Sequence, residues 1–133
     1  MLDTNVVVAL LRNKPTAVRD RYRAAQAAGD YLALSSAVLF ELWYGVAKSG
    51  QVAENTERLR ILLSADIDLL DFDDEDARVA GEVRADLEKG GQPIGAYDLL
   101  IAGQGLRRGL TVVTANSSEF SRVIGLSWQD WTT

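Results

Sequence analysis

Three acidic residues of this chain interrupt apolar stretches that would otherwise build a core. Asp3 lies within MLDTNVVVAL, Glu41 within SSAVLFELWYG and Asp98 within PIGAYDLLIAG. A lone buried carboxylate is very costly, so each of the three needs a reason. Carboxylates gathered at one place raise one another's pKa, and a divalent cation relieves that repulsion. Oxygen ligands of this kind favour Mg²⁺ or Mn²⁺, with Asp3, Glu41 and Asp98 as the candidate ligands.

Each of these acids also has a purely structural interpretation. Asp3 could cap a following helix. Asp98 could favour the dipole of its helix, an effect of about 0.3–1 kcal/mol. Glu41 could lie on the polar edge of a helix. These interpretations weaken together, because the predicted topology brings all three positions to one edge of a sheet. A further polar cluster, TANSSEF with Asn116 and Glu119, follows the last apolar strand.

The chain has no histidine and no cysteine, and these absences exclude whole classes of chemistry. No Ser-His-Asp or Cys-His nucleophile can form, and neither can a zinc site with histidine or thiolate ligands. An enzyme of this composition must use carboxylates, lysines, tyrosines or metal-activated water. A metal ion held by carboxylates suits phosphoryl chemistry, in which activated water attacks a phosphodiester.

Length and charge favour a single cytoplasmic domain. The 133 residues suit one hydrophobic core, and no apolar run is long enough to span a bilayer, so we expect no membrane association. The net charge is −5, which is too acidic for a general nucleic-acid coat protein. A local RNA-binding surface remains possible, with Arg12, Lys14 and Lys48 as candidate phosphate contacts. Trp43, Tyr44 and Tyr97 are candidates for stacking an unpaired base, although an aromatic at helical spacing is more often part of a core.

The apolar periodicity predicts an α/β fold with a short, mainly parallel sheet flanked by helices, in one domain over residues 1–133. A very short strand precedes Asp3, and further strands are expected at 31–35, 67–72 and 110–114, with an edge strand near the C-terminus. In such folds ligands bind beyond the carboxyl ends of the strands. Helices are expected at 5–11, 15–28, 37–48, 52–64, 74–89 and 96–107, with a helical turn at 117–121.

Two other interpretations of the acidic residues are weaker. The run DIDLLDFDDED at 66–76 lacks the glycine and the distal glutamate of an EF-hand, so it is expected to be a strand and a charged helix start. A receiver-like phospho-acceptor module needs a lysine after its last core strand. No lysine follows Lys89 in this chain.

Four segments, in order, resemble the PIN-domain ribonucleases, and in particular the VapC toxins of bacterial toxin–antitoxin pairs. They are LDTNV, SSAVLFELWYG, GQPIGAYDLLIAG and LTVVTANSSEF, and the resemblance covers essentially the whole chain. The succession of PIGAYD, RGL and the closing DW is similar to a VapC branch described as cleaving initiator tRNA in its anticodon stem-loop.

The resemblance implies a PIN-like fold and a Mg²⁺-dependent endoribonuclease, with Mn²⁺ as a possible substitute. It implies an RNA substrate, a cognate VapB-type antitoxin that neutralises the toxin, a homodimer, and a hetero-oligomer with the antitoxin. The family acids correspond to Asp3, Glu41 and Asp98. A fourth family acid often falls where this chain has Asn116, so either Asn116 orients ligands or Glu119 substitutes for that acid. The alternative is a catalytically weak PIN-like module that binds RNA or a partner.

Overall fold

The fold, taken from a computed structural model that describes residues 1–133, alternates short strands with helices. Seven helices surround four short strands. The helices are α1 (Thr4–Arg12), α2 (Thr16–Ala27), α3 (Ser36–Ala47), α4 (Val52–Leu63), α5 (Asp74–Lys89), α6 (Ala96–Arg108) and α7 (Ser117–Phe120). The strands are β1 (Ala33–Ser35), β2 (Asp68–Leu70), β3 (Val112–Val113) and β4 (Trp128–Gln129).

The strands form two parallel ladders, joined by the first residues of the chain. β1 pairs with β2, and β3 pairs with β4. Between them the Leu2 N–H donates to the Ala33 carbonyl at 3.0 Å, and Leu2 forms a parallel bridge with Val113. The order across the sheet is therefore β2, β1, the segment 1–3, β3 and β4. The predicted short first strand is confined to this bridge, and Asp3 stands at its carboxyl end.

The core lies against this sheet and between the helices. Its fully buried side chains include Leu2, Leu34, Ile101 and Phe120. Helices α5 and α6 approach most closely at Gly103, where an added Cβ would lie 2.5 Å from the Cα of Ala80. Only glycine permits this approach, which fixes the axis of the helix whose first turn carries Asp98. No helix of the fold is long and apolar enough to cross a membrane.

The predicted order of elements is confirmed, and the differences are local. β1, β2 and β3 are shorter than the apolar runs that predicted them, because pairing partners exist over only two or three residues. The N-cap of α3 is Ser35, whose hydroxyl accepts the Ala37 N–H at 3.1 Å.

The acidic run 66–76 does form a strand and a helix start, but it is more than a charged surface. Asp76 is completely buried, although the pattern predicts only a solvated first turn. It forms a capping box with Asp73 and ion pairs at 2.9 Å with Arg107 and Arg108. This cluster ties the start of α5 to the end of α6.

Candidate active site

Asp3 is a buried carboxylate that also caps α1. It is 3% exposed, and its Oδ1 accepts the Thr4 N–H at 2.8 Å while its Oδ2 accepts the Thr114 hydroxyl at 2.8 Å. Burial raises the pKa of Asp3, the two hydrogen bonds oppose that rise, and the charges of Glu41 and Glu119 add to it. Both interpretations of Asp3, cap and site residue, are therefore compatible with its geometry.

Glu41 is brought beside Asp3 by the start of α1. It lies in the second turn of α3, half-buried, and its Oε1 accepts the Thr4 hydroxyl at 2.7 Å. The residue after Asp3 therefore holds the glutamate in place. On the other side Asn5 accepts the Ala115 N–H at 3.2 Å, which ties α1 to the segment after β3.

Asp98 lies in the first turn of α6 and is joined to Asn116 and Glu119. The Asn116 side-chain amide donates to Asp98 Oδ2 at 2.7 Å and to Glu119 Oε2 at 2.8 Å. Burial and the hydrogen bond shared with Glu119 raise the pKa of Asp98 to about 7, and the charges of Asp3 and Glu119 contribute. The same shared hydrogen bond lowers the pKa of Glu119. Asn116 and Glu119 thus belong to one hydrogen-bonded cluster with Asp98.

The three acids line a single open cleft of about 550 Å³. Two of the predicted phosphate contacts, Arg12 and Lys14, line the same cleft. The cleft is therefore lined by three acidic and two positively charged side chains. Lys48 does not lie there. It lines an adjoining cleft of about 280 Å³ that shares Arg12 and Glu41, and its Nζ stands 4.7 Å from the ring of Tyr44.

The donor set suits a hard divalent cation. Every candidate ligand atom of Asp3, Glu41 and Asp98 is a carboxylate oxygen, as Mg²⁺ and Mn²⁺ prefer. Burial and the hydrogen bond shared with Glu119 are the main causes of the raised pKa of Asp98, and the charges of Asp3 and Glu119 add a repulsion that a cation would relieve. As the side chains stand, no three acidic residues are grouped closely enough around one point to hold a metal ion.

The candidate stacking residues differ in exposure. Tyr44 is 59% and Tyr97 is 46% exposed, and the Tyr97 ring lies 5.8 Å from that of Phe40, which sequence reasoning did not single out. Phe40 and Tyr97 directly precede Glu41 and Asp98 in the chain. Trp43 instead packs against the core and under Arg60, as its helical spacing favours.

One residue near the C-terminus also lines the cleft, although no sequence pattern indicated it. Thr132 lines the cleft with Asp3 and Asp98. The polar sequence around Thr132 resembles any surface segment, so only the fold could reveal this placement.

Comparison with known proteins agrees with this geometry. The PIN domain family model matches residues 1–126. The tRNA(fMet)-specific endonuclease VapC of Shigella flexneri is 41% identical over 131 residues, which cover 98% of this chain and 96% of that protein. Ribonuclease VapC2 of Rickettsia felis is 37% identical over the same share of each chain.

Two solved structures with a similar fold also come from VapBC complexes. The VapBC2 structure from Rickettsia felis, bound to a promoter DNA fragment, matches with a TM-score of 0.90, 37% identity and coverage of 98% of this chain and 97% of that chain. The DNA-bound VapBC of Salmonella typhimurium matches with a TM-score of 0.89, 38% identity and coverage of 98% and 96%. The chain belongs to the PIN-domain family, and within that family to the VapC ribonuclease toxins.

Proposed function

We propose that this VapC-family endoribonuclease hydrolyses a phosphodiester of tRNA, with the anticodon stem-loop of initiator tRNA as the favoured target. Two relatives, at 41% and 38% identity, carry the name tRNA(fMet)-specific endonuclease. The observation that carries the proposal is the cleft itself, in which Asp3, Glu41 and Asp98 face the same space as Arg12 and Lys14. This combination suits a metal-assisted reaction on a polyanion.

Asp3, Glu41 and Asp98 are proposed to hold Mg²⁺, for which Mn²⁺ could substitute. A divalent cation bound there supplies positive charge for the phosphodiester transition state and lowers the pKa of a bound water. Thr114 and Thr4 keep the carboxylates of Asp3 and Glu41 oriented through their hydroxyl groups. Water is the proposed nucleophile, so the expected products carry a 5′-phosphate and a 3′-hydroxyl.

Asn116 is proposed to orient Asp98 and Glu119 rather than to bind the ion. Its amide nitrogen, which faces both carboxylates, is a donor and cannot ligate a cation. Glu119 then supplies the fourth negative charge of the site. Arg12 and Lys14 are proposed to contact phosphates at the cleft, and Lys48 to extend that contact into the adjoining cleft. Tyr44 and Tyr97 are exposed enough to stack a base.

A VapB-type antitoxin is the proposed protein partner, and the site of action is the cytoplasm. The two solved structures reported above are VapBC complexes bound to DNA. The chain is proposed to form a homodimer that assembles further with the antitoxin. The alternative, a catalytically weak module that binds RNA or a partner, predicts RNA binding without cleavage.

The test is incubation of the purified chain with total bacterial RNA, in Mg²⁺ and in EDTA, beside Asp98→Asn and the surface control Asp86→Asn. We expect cuts in one tRNA anticodon region that EDTA abolishes. Asp98→Asn should reduce the rate by roughly 10²–10³-fold, as for the loss of one electrostatic catalytic group, and Asp86→Asn should cleave normally. Cleavage that survives EDTA, or full activity of Asp98→Asn, would overturn the proposal. Binding without cleavage in any divalent ion would favour the alternative.

A further inference from the structure

The C-terminal segment, residues 129–133, borders the candidate active site from outside the region matched by the family model. That match ends at residue 126, whereas Thr132 lines the cleft beside Asp3 and Asp98.

The C-terminal segment is firmly held. Trp131 is 5% exposed and belongs to the hydrophobic core, and its indole N–H donates to the Gln129 side-chain oxygen at 3.1 Å. The Gln129 carbonyl accepts the N–H of Thr114, the residue whose hydroxyl binds Asp3. Arg21 donates to the Thr133 carbonyl at 3.2 Å. These contacts hold the segment that carries Thr132 against the core and against the residue that binds Asp3.

The direction of the hydrogen bond at Thr132 limits what its hydroxyl can bind. Asp130 Oδ1 accepts both the Thr132 hydroxyl at 2.6 Å and the Thr132 N–H at 2.8 Å. These hydrogen bonds lower the pKa of Asp130, so its carboxylate is ionised at neutral pH and can only accept. The single hydroxyl proton of Thr132 is therefore directed to Asp130. The hydroxyl oxygen of Thr132 accepts no hydrogen bond within the chain, so its lone pairs are available to a ligand in the cleft that Thr132 lines.

A hydroxyl that can only accept cannot bind a phosphate, whose oxygens at neutral pH are acceptors too. Arg12 and Lys14, in the same cleft, are the donors suited to phosphate. The complementary group is a donor that lies next to a phosphate in every ribonucleotide, namely the ribose 2′-hydroxyl. That hydroxyl is also the group by which proteins distinguish RNA from DNA.

We propose that Thr132, oriented by Asp130, accepts a hydrogen bond from the 2′-hydroxyl of a nucleotide in the cleft and so selects RNA over DNA. The proposal rests on the proposed function, namely cleavage of RNA in this cleft. Hydrolysis by water does not use the 2′-hydroxyl as a nucleophile. A dependence of the rate on one 2′-hydroxyl would therefore report recognition rather than chemistry.

The test uses synthetic versions of the RNA that the unmodified chain cuts. Each version carries one 2′-deoxynucleotide, at one of three positions on either side of the cut. We expect one substitution to lower kcat/KM about three- to tenfold, the range for one neutral hydrogen bond. Thr132→Val should lower kcat/KM on all-ribose RNA by a similar factor and abolish the effect of that substitution. Thr132→Ser keeps the acceptor and should keep the discrimination.

The matched control is Thr133→Val, the exposed neighbouring threonine, which should behave as the unmodified chain. The inference is overturned if Thr132→Val retains the same ribose-to-deoxyribose ratio at every position. It is also overturned if no single deoxy substitution affects the unmodified chain, or if only the removal of a base amino group does. A chain that cuts no RNA at all would instead refute the proposed function, and the inference with it. Circular dichroism and thermal unfolding of each variant separate these outcomes from misfolding.

Discussion

Asp76→Asn tests whether a buried acid far from the cleft acts through stability alone. Asp76 is completely buried, and its two oxygens receive hydrogen bonds from Arg107 at 2.9 Å and Arg108 at 2.9 Å. The side-chain amide of Gln104 donates to it as well, at 3.2 Å. The substitution keeps the shape of the side chain and removes its charge. The two arginines then lose the closer of their two ionic partners at the junction of α5 and α6, and Asp73 remains, at 3.2 Å from Arg107 and 3.5 Å from Arg108.

The pKa of Asp76 sets how much stability Asp76→Asn should lose and over which pH range. Burial alone would raise this pKa, but hydrogen bonds from Arg108, the Asp73 N–H and Arg107 outweigh burial and hold it at about 2, against an ordinary value of 3.8. Nearly two pK units correspond to about 2.5 kcal/mol at most. The arginine side chains are 31% and 26% exposed, so solvent screening reduces the expected contribution to about 1–2 kcal/mol.

The direction of the pH dependence follows from the linkage between proton binding and folding. The folded state binds the ionised form of Asp76 more favourably, so the contribution is fully present above the unfolded pKa of 3.8. It is lost as the pH falls through the folded pKa of about 2. The free energy of unfolding of Asp76→Asn should therefore be about 1–2 kcal/mol lower than that of the unmodified chain between about pH 5 and 8, and the gap should narrow below about pH 4.

The assay is urea unfolding at pH 7, 5, 4 and 3, followed by circular dichroism, beside the exposed control Asp74→Asn. The control should differ by a few tenths of a kcal/mol, as for one charge in the first turn of a helix. RNA cleavage by Asp76→Asn at 25 °C should match that of the unmodified chain. The reasoning fails if the gap is absent at pH 7, if it persists unchanged at pH 3, or if cleavage is lost while the fold is intact.

Two further substitutions address the cleft. Thr4→Val removes the hydroxyl that donates to Glu41 at 2.7 Å. We expect kcat/KM to fall by roughly tenfold or more in Thr4→Val, while Thr4→Ser retains activity. Equal rates for the two variants would show that this hydrogen bond does not position the glutamate. Arg12→Ala should reduce the slope of log Kd against log salt concentration by about 1, the value for one phosphate contact. The loss of RNA affinity should be largest at low salt. Arg23→Ala, on an exposed face of α2, is the control, and an unchanged slope for Arg12→Ala would exclude a phosphate contact there.

The fold was predictable because its signals are local and repeated. The cap residues before α1 and α3, the apolar periodicity of α5 and α6, and the β-branched run before Thr114 each point to one kind of element. Strand lengths were less predictable, since a residue counts as strand only where a partner lies beside it. The pairing of Leu2 with Val113 joins residues that are far apart in the chain, and no local pattern encodes it.

The site was predictable to the extent that its residues violate the apolar pattern around them. Asp3, Glu41 and Asp98 stand out for that reason. Asp76 and Thr132 could not be found in this way, because each lies in a polar stretch where one more polar residue carries no signal. Their roles depend on which distant residues the fold brings beside them, two arginines of α6 in one case and the acidic cleft in the other.

The contrast between two buried aspartates argues that Asp3 is there for more than capping. The charge of Asp76 is stabilised by two arginines, and its pKa is held low. Asp3 has no cation beside it, and burial together with the charges of Glu41 and Glu119 raises its pKa. Asparagine caps a helix about as well as aspartate and would avoid this repulsion. A carboxylate placed where a neutral cap would avoid this repulsion is what a cation-binding role of Asp3 predicts.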